Sequence, residues 1–316
     1  MVFFALSLGL ILNPFLVEID SQPAEDFDYV EQVQKVCQMK DSMPVLKVLY
    51  PKKIGWLETV FPIKDFHNRT MQGVRQILID RSKGLYPSTQ LISLNGGGED
   101  CIVLRSTFNK NYPEMARSLI KALEEIGFQG VVYYREGGIP NPTGREVRYA
   151  AIPYAFKIFT LLEAYQKGYK NLLWLDTAVY PSKNPNYIFR IIEKDELLVD
   201  WVNRQKNGML PKIQELLFDK AKLTKPHPLH ARGGIFGIKM DAPWVKSFIE
   251  DFYEMAEMGT PFLSCFPEES VLSALFYKYD KVNTAEKHKL LLAVAEHHTA
   301  LPFAKKRGYP FFLRQH

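Results

Sequence analysis

The chain has 316 residues, enough for one large α/β domain with an N-terminal extension or for two small domains. Its 47% apolar content allows a full core and excludes global disorder. The net charge of +5 comes from 40 basic and 35 acidic residues, interspersed with no basic block of five, so no nucleic-acid partner is indicated.

Residues 1–17 form a hydrophobic N-terminal segment. Val2 to Val17 is apolar apart from Ser7 and Asn13, and Pro14 interrupts it. The run suits a signal peptide or an anchor, and falls short of the roughly 20 residues of a comfortable membrane span. It lacks a basic start and an Ala-x-Ala site, so a buried segment or a mis-assigned start competes. A signal would place the chain in the secretory pathway, in the periplasm, or at a membrane through residues 2–17; otherwise the chain is cytoplasmic. Asn68-Arg69-Thr70 is a glycosylation sequon, informative only in a secreted eukaryotic chain.

Residues 18–98 read as a mixed extension with charged helical stretches at Tyr29–Met39 and Met71–Lys83. The turn-rich Asn95-Gly96-Gly97-Gly98 is the expected boundary, and residues 99–316 then form the main domain. Cys37, Cys101 and Cys265 show no CxxC spacing, so neither a zinc site nor a disulfide framework is supported.

From Cys101 onward strand-like and helix-like segments alternate, the pattern of an α/β domain with a mostly parallel sheet flanked by helices. Cys101–Leu104 is a short apolar strand. Pro113 opens a helix with Met115, Leu119, Ala122, Leu123 and Ile126 on one face, stopped by Gly127. Val131–Tyr134 is the next strand, followed by a loop rich in glycine and proline. Pro153 lies early in a second helix, with Ala155, Ile158, Leu162 and Tyr165 inward and Gly168 at its end. Leu172-Leu173-Trp174-Leu175 has no polar alternation, which suits a central strand covered on both faces.

Asp176 follows that strand directly. At the carboxyl end of a central strand it faces the crevice where open α/β sheets bind ligands; the alternative is a turn or helix cap. Gly233-Gly234 precedes the strand-like Ile235–Ile238, either as a tight turn or to let the backbone approach a sugar closely. Glu268 and Glu269 begin a helix after Pro267, where the helix dipole alone favours acids. His297 and His298 are adjacent, so at most one points at a site. Motifs of the GxGxxG, GxxxxGK, GxSxG and HExxH types are absent.

Five segments in this order resemble the GT-A glycosyltransferase superfamily: Ile102–Thr107, Tyr154–Lys157, Leu173–Val179, His230–Gly237 and Pro267–Ser273. They span more than half of the chain. The resemblance implies a GT-A-like, Rossmann-like fold, a nucleoside-diphosphate-sugar donor, and transfer of the sugar to a hydroxyl of a glycan, lipid or protein acceptor. It places Arg105, Ser106 and Thr107 at the base and ribose, and Lys157 at a phosphate. It sets Asp176 on a divalent metal, Mn or Mg, with His297 or His298 completing the shell. Glu268 or Glu269 then serves as the base or as a partner of the acceptor hydroxyl. The chain departs from the pattern at Ala178, where the family commonly has the second Asp of its metal motif. That departure motivates an alternative, a non-catalytic glycosyltransferase-like protein that binds carbohydrate or nucleotide.

Overall fold

The computed structural model describes residues 45–52, 55–62, 73, 76–77, 79–109, 111–140, 149–150, 152–203, 211–223, 229–262, 264, 266–281, 292–293 and 300–314. The hydrophobic segment 1–17, the sequon at Asn68, the stretch Tyr29–Met39, Cys37 and Cys265 lie outside them. Among the described residues no helix is long and apolar enough to cross a membrane.

Strands β1 (Val45–Lys52) and β2 (Gly55–Pro62) pair antiparallel with each other. Then follow β3 (Ser88–Leu94), β4 (Cys101–Ser106), α1 (Asn111–Glu125), β5 (Gly130–Glu136), α2 (Phe156–Gln166), β6 (Asn171–Leu175) and β7 (Val179–Pro181). The chain continues through α3 (Asn186–Asp195), β8 (Leu197–Asn203), α4 (Pro211–Lys220), β9 (Leu229–Lys239), α5 (Val245–Met258) and α6 (Pro267–Lys278). It closes with β10 (Leu292–Ala293), α7 (Ala300–Arg307) and β11 (Phe311–Leu313).

The main sheet has six strands in the order β3-β5-β4-β6-β9-β8. Strands β5, β4, β6 and β8 run one way, and β3 and β9 run against them. A smaller sheet, β10-β11-β7, continues from the end of β6. Strand β6 is central as the apolar run predicts, parallel to β4 on one side and antiparallel to β9 on the other. Leu172 and Trp174 pack into the layer that holds α2, α5 and α6. Leu173 and Leu175 pack into the opposite layer, with Leu119 and Leu123 of α1 and Ile188 of α3. A strand covered on both faces has no use for polar alternation, which explains the run. The result is a three-layer α/β domain.

Gly127 and Gly168 stop α1 and α2 with φ of 78° and 98°, a backbone that side chains disfavour. Helix α1 begins two residues before Pro113, and Pro153 precedes α2 in a turn rather than lying within it. Strand β3 pairs along its whole length with β5, from Ser88↔Glu136 to Leu94↔Gly130. Asn95–Gly98 is therefore a turn between strands of one sheet, and the sheet reaches N-terminally of the boundary expected there.

The burial of β6 sets a testable scale. Leu173→Ala, at a fully buried position, should cost about 2–5 kcal/mol in urea unfolding. Leu91→Ala on the edge strand, at a half-exposed position, should change stability by no more than about 0.5 kcal/mol. Equal losses at both positions would contradict the placement of β6.

Candidate functional site

The site forms where the β9 ladder opens. Strand β8 pairs with β9 at Val199↔Phe236 and again at Trp201↔Ala231, so one residue, Asp200, stands opposite several. Such irregularities leave backbone groups unpaired and re-aim side chains. Here the groups belong to Gly233, and a buried N–H or C=O needs a partner. The Gly233 N–H donates to Glu269 Oε1 at 2.9 Å, and its carbonyl accepts from Lys157 Nζ at 2.9 Å. A neighbouring N–H, that of Ala231, donates to Ser273 Oγ at 2.9 Å. Helix α6 is thereby fastened to the opened strand by Glu269 and Ser273.

Gly233 has a steric reason, whereas a side chain at Gly234 would meet only ordinary contact. A Cβ at Gly233 would stand 2.3 Å from Glu268 Oε1, and one at Gly234 would stand 3.4 Å from Asp176 Oδ2. What approaches Gly233 is the protein's own carboxylate, and both glycines lie inside a continuous strand, not in a tight turn.

Lys157 is the centre of the cluster. Its side chain, on the first turn of α2, is 3% exposed. The ammonium lies 3.0 Å from Asp176 Oδ1, 3.2 Å from Asp176 Oδ2 and 2.8 Å from Glu268 Oε1. An ammonium carries three protons, and Asp176, Glu268 and the Gly233 carbonyl account for them. Burial works to depress its pKa, but Asp176 and then Glu268 outweigh burial and hold it above the ordinary lysine value. Burial pushes the Glu268 carboxyl up against the lowering influence of Lys157, and Glu269 pushes it further. Glu268 and Glu269 are both buried, in the first turn of α6 behind Pro267. The helix dipole favours acids there, but each also has a specific partner.

Asp176 is the open member, with 39% of its side chain exposed. Its backbone N–H donates to the Gly234 carbonyl, and Trp174 Nε1 donates to Oδ1 at 2.8 Å. Aromatic rings continue the wall. Phe156 lies 6.0 Å from Trp174 between ring centres, and the Arg105 guanidinium lies 4.1 Å above Phe156. Arg105 also donates through Nε and Nη2 to the Gly138 carbonyl. Tyr154 is 42% exposed, holds φ at 64°, and stands 5.3 Å from Lys157 Nζ. A tyrosine in the left-handed region is uncommon and carries a conformational cost.

Of the residues singled out in the sequence, Lys157, Asp176, Gly233, Gly234, Glu268 and Glu269 come together, with Arg105 at their edge. Lys157 faces inward onto carboxylates instead of outward. Ser106 is buried and shares a hydrogen bond with the Tyr134 hydroxyl at 2.7 Å, away from the crevice. Thr107 Oγ1 accepts from the Asn109 N–H at 3.3 Å, the geometry of a turn. His297 and His298 lie outside the described residues. Sequence reading missed the roles of Trp174, Tyr154 and the Arg232–Asp200 ion pair, 2.8 Å apart at the irregularity. A buried tryptophan needs an acceptor for its N–H, and Asp176 two residues on was a legible one.

A Mn or Mg ion needs open, hard oxygen ligands. Asp176 offers it little, since Oδ1 receives Trp174 and Lys157 and Oδ2 receives Lys157. Ala178 supplies no side-chain oxygen. Among the described residues no three His, Cys, Asp or Glu side chains are grouped to hold a metal ion. The described side chains therefore do not fit the divalent ion that the sequence resemblance implied.

No known sequence family matches the chain, and no curated protein does. Among solved structures it is similar to a glycosyltransferase involved in glycosylation of the major capsid of PBCV-1, at 14% identity and a TM-score of 0.36, over 68% of this chain and 92% of that one. It is similar to mouse xyloside xylosyltransferase 1 at 11% identity and a TM-score of 0.35, over 69% and 79% of the two chains. It is also similar to the mannosyltransferase Ktr4p of S. cerevisiae at 13% identity and a TM-score of 0.38, over 80% and 81%.

Removing the central charge tests the site. Lys157→Met leaves the buried Glu268 carboxylate, the partly exposed Asp176 carboxylate and the Gly233 carbonyl without their shared donor, and should cost roughly 3–5 kcal/mol at neutral pH. Without Lys157, Glu268 holds its proton to higher pH in the folded chain than in the unfolded one. That contribution is present in acid and lost as pH rises, so the deficit against wild type should shrink as pH falls toward about 4. Urea unfolding across this range measures it. A deficit that is small or independent of pH would contradict the geometry.

Proposed function

We propose that the chain is a glycosyltransferase-like protein that binds a nucleoside-diphosphate sugar at the carboxyl ends of β4 and β6 and transfers the sugar to an acceptor hydroxyl. The observation that carries the reading is Asp176. It is a half-open carboxylate at the carboxyl end of the central strand, fixed in orientation by Trp174 and Lys157, in the crevice where such sheets take ligands.

In this reading Asp176 accepts hydroxyls of the donor's ribose or sugar. Glu268 and Glu269 are positioning residues: one holds Lys157 and the other holds Gly233, and both are buried. The neighbouring Tyr154 ring offers an exposed apolar face for a sugar or base. Transfer requires stabilisation of the charge that grows on the leaving diphosphate. Phosphate-side positive charge thus has to come from groups other than the saturated ammonium of Lys157.

A second reading, a carbohydrate-binding protein without transferase activity, is favoured by Ala178 and by the engagement of both Asp176 oxygens. Isothermal titration with UDP and GDP, followed by assay of sugar release from UDP-glucose, UDP-galactose and GDP-mannose, separates the two. Nucleotide binding with slow sugar release is the expected result. Asp176→Asn should weaken UDP-sugar or GDP-sugar binding about ten-fold, while costing less stability than Lys157→Met. Binding of free sugars without nucleotide binding would favour the second reading, and absence of both would overturn the proposal.

A further inference from the structure

We propose that this chain holds the diphosphate of its nucleotide ligand without a divalent cation, using the guanidinium of Arg314, whose backbone lies beside Ala178. The inference rests on the nucleotide-sugar reading above and concerns the source of positive charge at that same site.

A diphosphate entering the crevice meets carboxylates. Asp176 is partly exposed there, with Glu268 and Glu269 behind it; Lys157 is one positive charge among these three carboxylates, and Arg105 at the edge is engaged with the Gly138 carbonyl and the Phe156 ring. A polyanion does not settle beside such a cluster without a further cation. A divalent ion on the open edge of Asp176 would stand beside an ammonium that is nearly inaccessible and held in place by Glu268 and the Gly233 carbonyl, like charge against like. Lys157 itself is not available to phosphate, since its three protons are directed at protein acceptors.

The chain brings the backbone of a different cationic residue alongside Ala178, two residues from Asp176. Strand β11 runs antiparallel to β7, with Leu313 opposite Val179. The next residue, Arg314, donates its backbone N–H to the Ala178 carbonyl at 2.8 Å. Its side chain is exposed, and the guanidinium carbon lies 5.1 Å from the centre of the Tyr180 ring. Tyr180 is itself buried and donates to the Met115 carbonyl of α1 at 3.2 Å, so the ring beneath the guanidinium is a fixed platform. Arginine's planar fork matches phosphate oxygens in pairs, and stacking on an aromatic ring leaves its donors directed outward. An alanine at 178 leaves room for phosphate where an aspartate would repel it.

Isothermal titration with UDP and GDP decides this, run on wild type, Arg314→Gln and Arg314→Lys, each in manganese and in EDTA. Wild-type affinity should agree within about two-fold between the two conditions, and Arg314→Gln should weaken both about ten-fold or more, with Arg314→Lys recovering part of the loss. Uridine and guanosine, which carry no phosphate, should bind wild type and Arg314→Gln equally. A loss of about ten-fold or more in EDTA for wild type, or unchanged nucleotide affinity in Arg314→Gln, would overturn this inference and leave the nucleotide-binding reading standing. If UDP and GDP bind under neither condition, both fall. Should Arg314→Gln fail to fold, the wild-type comparison in EDTA still tests the absence of a cation, and unchanged nucleotide affinity in Arg314→Ala would still overturn the role of the guanidinium.

Discussion

An ammonium group with 3% of its side chain exposed must be compensated where it stands. In this chain Lys157 is compensated by three distant parts of the sequence at once: the end of β6, the opened stretch of β9 and the first turn of α6. Each gives something only the folded chain can bring together. Strand β6 gives Asp176, β9 gives a carbonyl freed by the irregular pairing with β8, and α6 gives Glu268. The side-chain cluster at the carboxyl end of β6 is built around that one charge.

Buried charge clusters are weak contributors to net stability because desolvation offsets most of the attraction. Their effect is on geometry. Lys157 and Trp174 hold the Asp176 carboxylate from two sides, so its exposed edge points one way. Glu269 and Ser273 dock α6 to β9 through backbone N–H groups, which fixes the helix that carries Glu268. A carboxylate held this way is preorganised for hydroxyl groups. It is also a poor metal ligand, because the Lys157 ammonium already neutralises it and would stand beside any second cation. Specific orientation and charge neutralisation follow from the same contacts.

Much of the architecture was legible because it depends on short-range pattern. The unbroken Leu172–Leu175 run identified a strand covered on both faces, and Gly127 and Gly168 marked helix ends where positive φ is needed. Asp176 followed from its place after that strand. The pairing of Lys157 with Glu268 was not legible, since 111 residues separate them and their meeting depends on the β8–β9 irregularity. Gly233 shows how a correct signal carries a wrong inference. Glycine in a strand announces close approach, but not of what, and here it is a glutamate of α6 rather than a ligand. Ser106 fails for a simpler reason. Polar residues at a strand end suggest a crevice, but its hydroxyl finds Tyr134 inside the core.

Lys157 and Glu268 act as one unit, 2.8 Å apart, and a double-mutant cycle measures their coupling directly. Urea unfolding of wild type, Lys157→Met, Glu268→Gln and the double variant gives the coupling between them. The account predicts that the two changes are non-additive by more than about 1 kcal/mol, with the double variant more stable than Lys157→Met alone. Additivity within about 0.5 kcal/mol would contradict it.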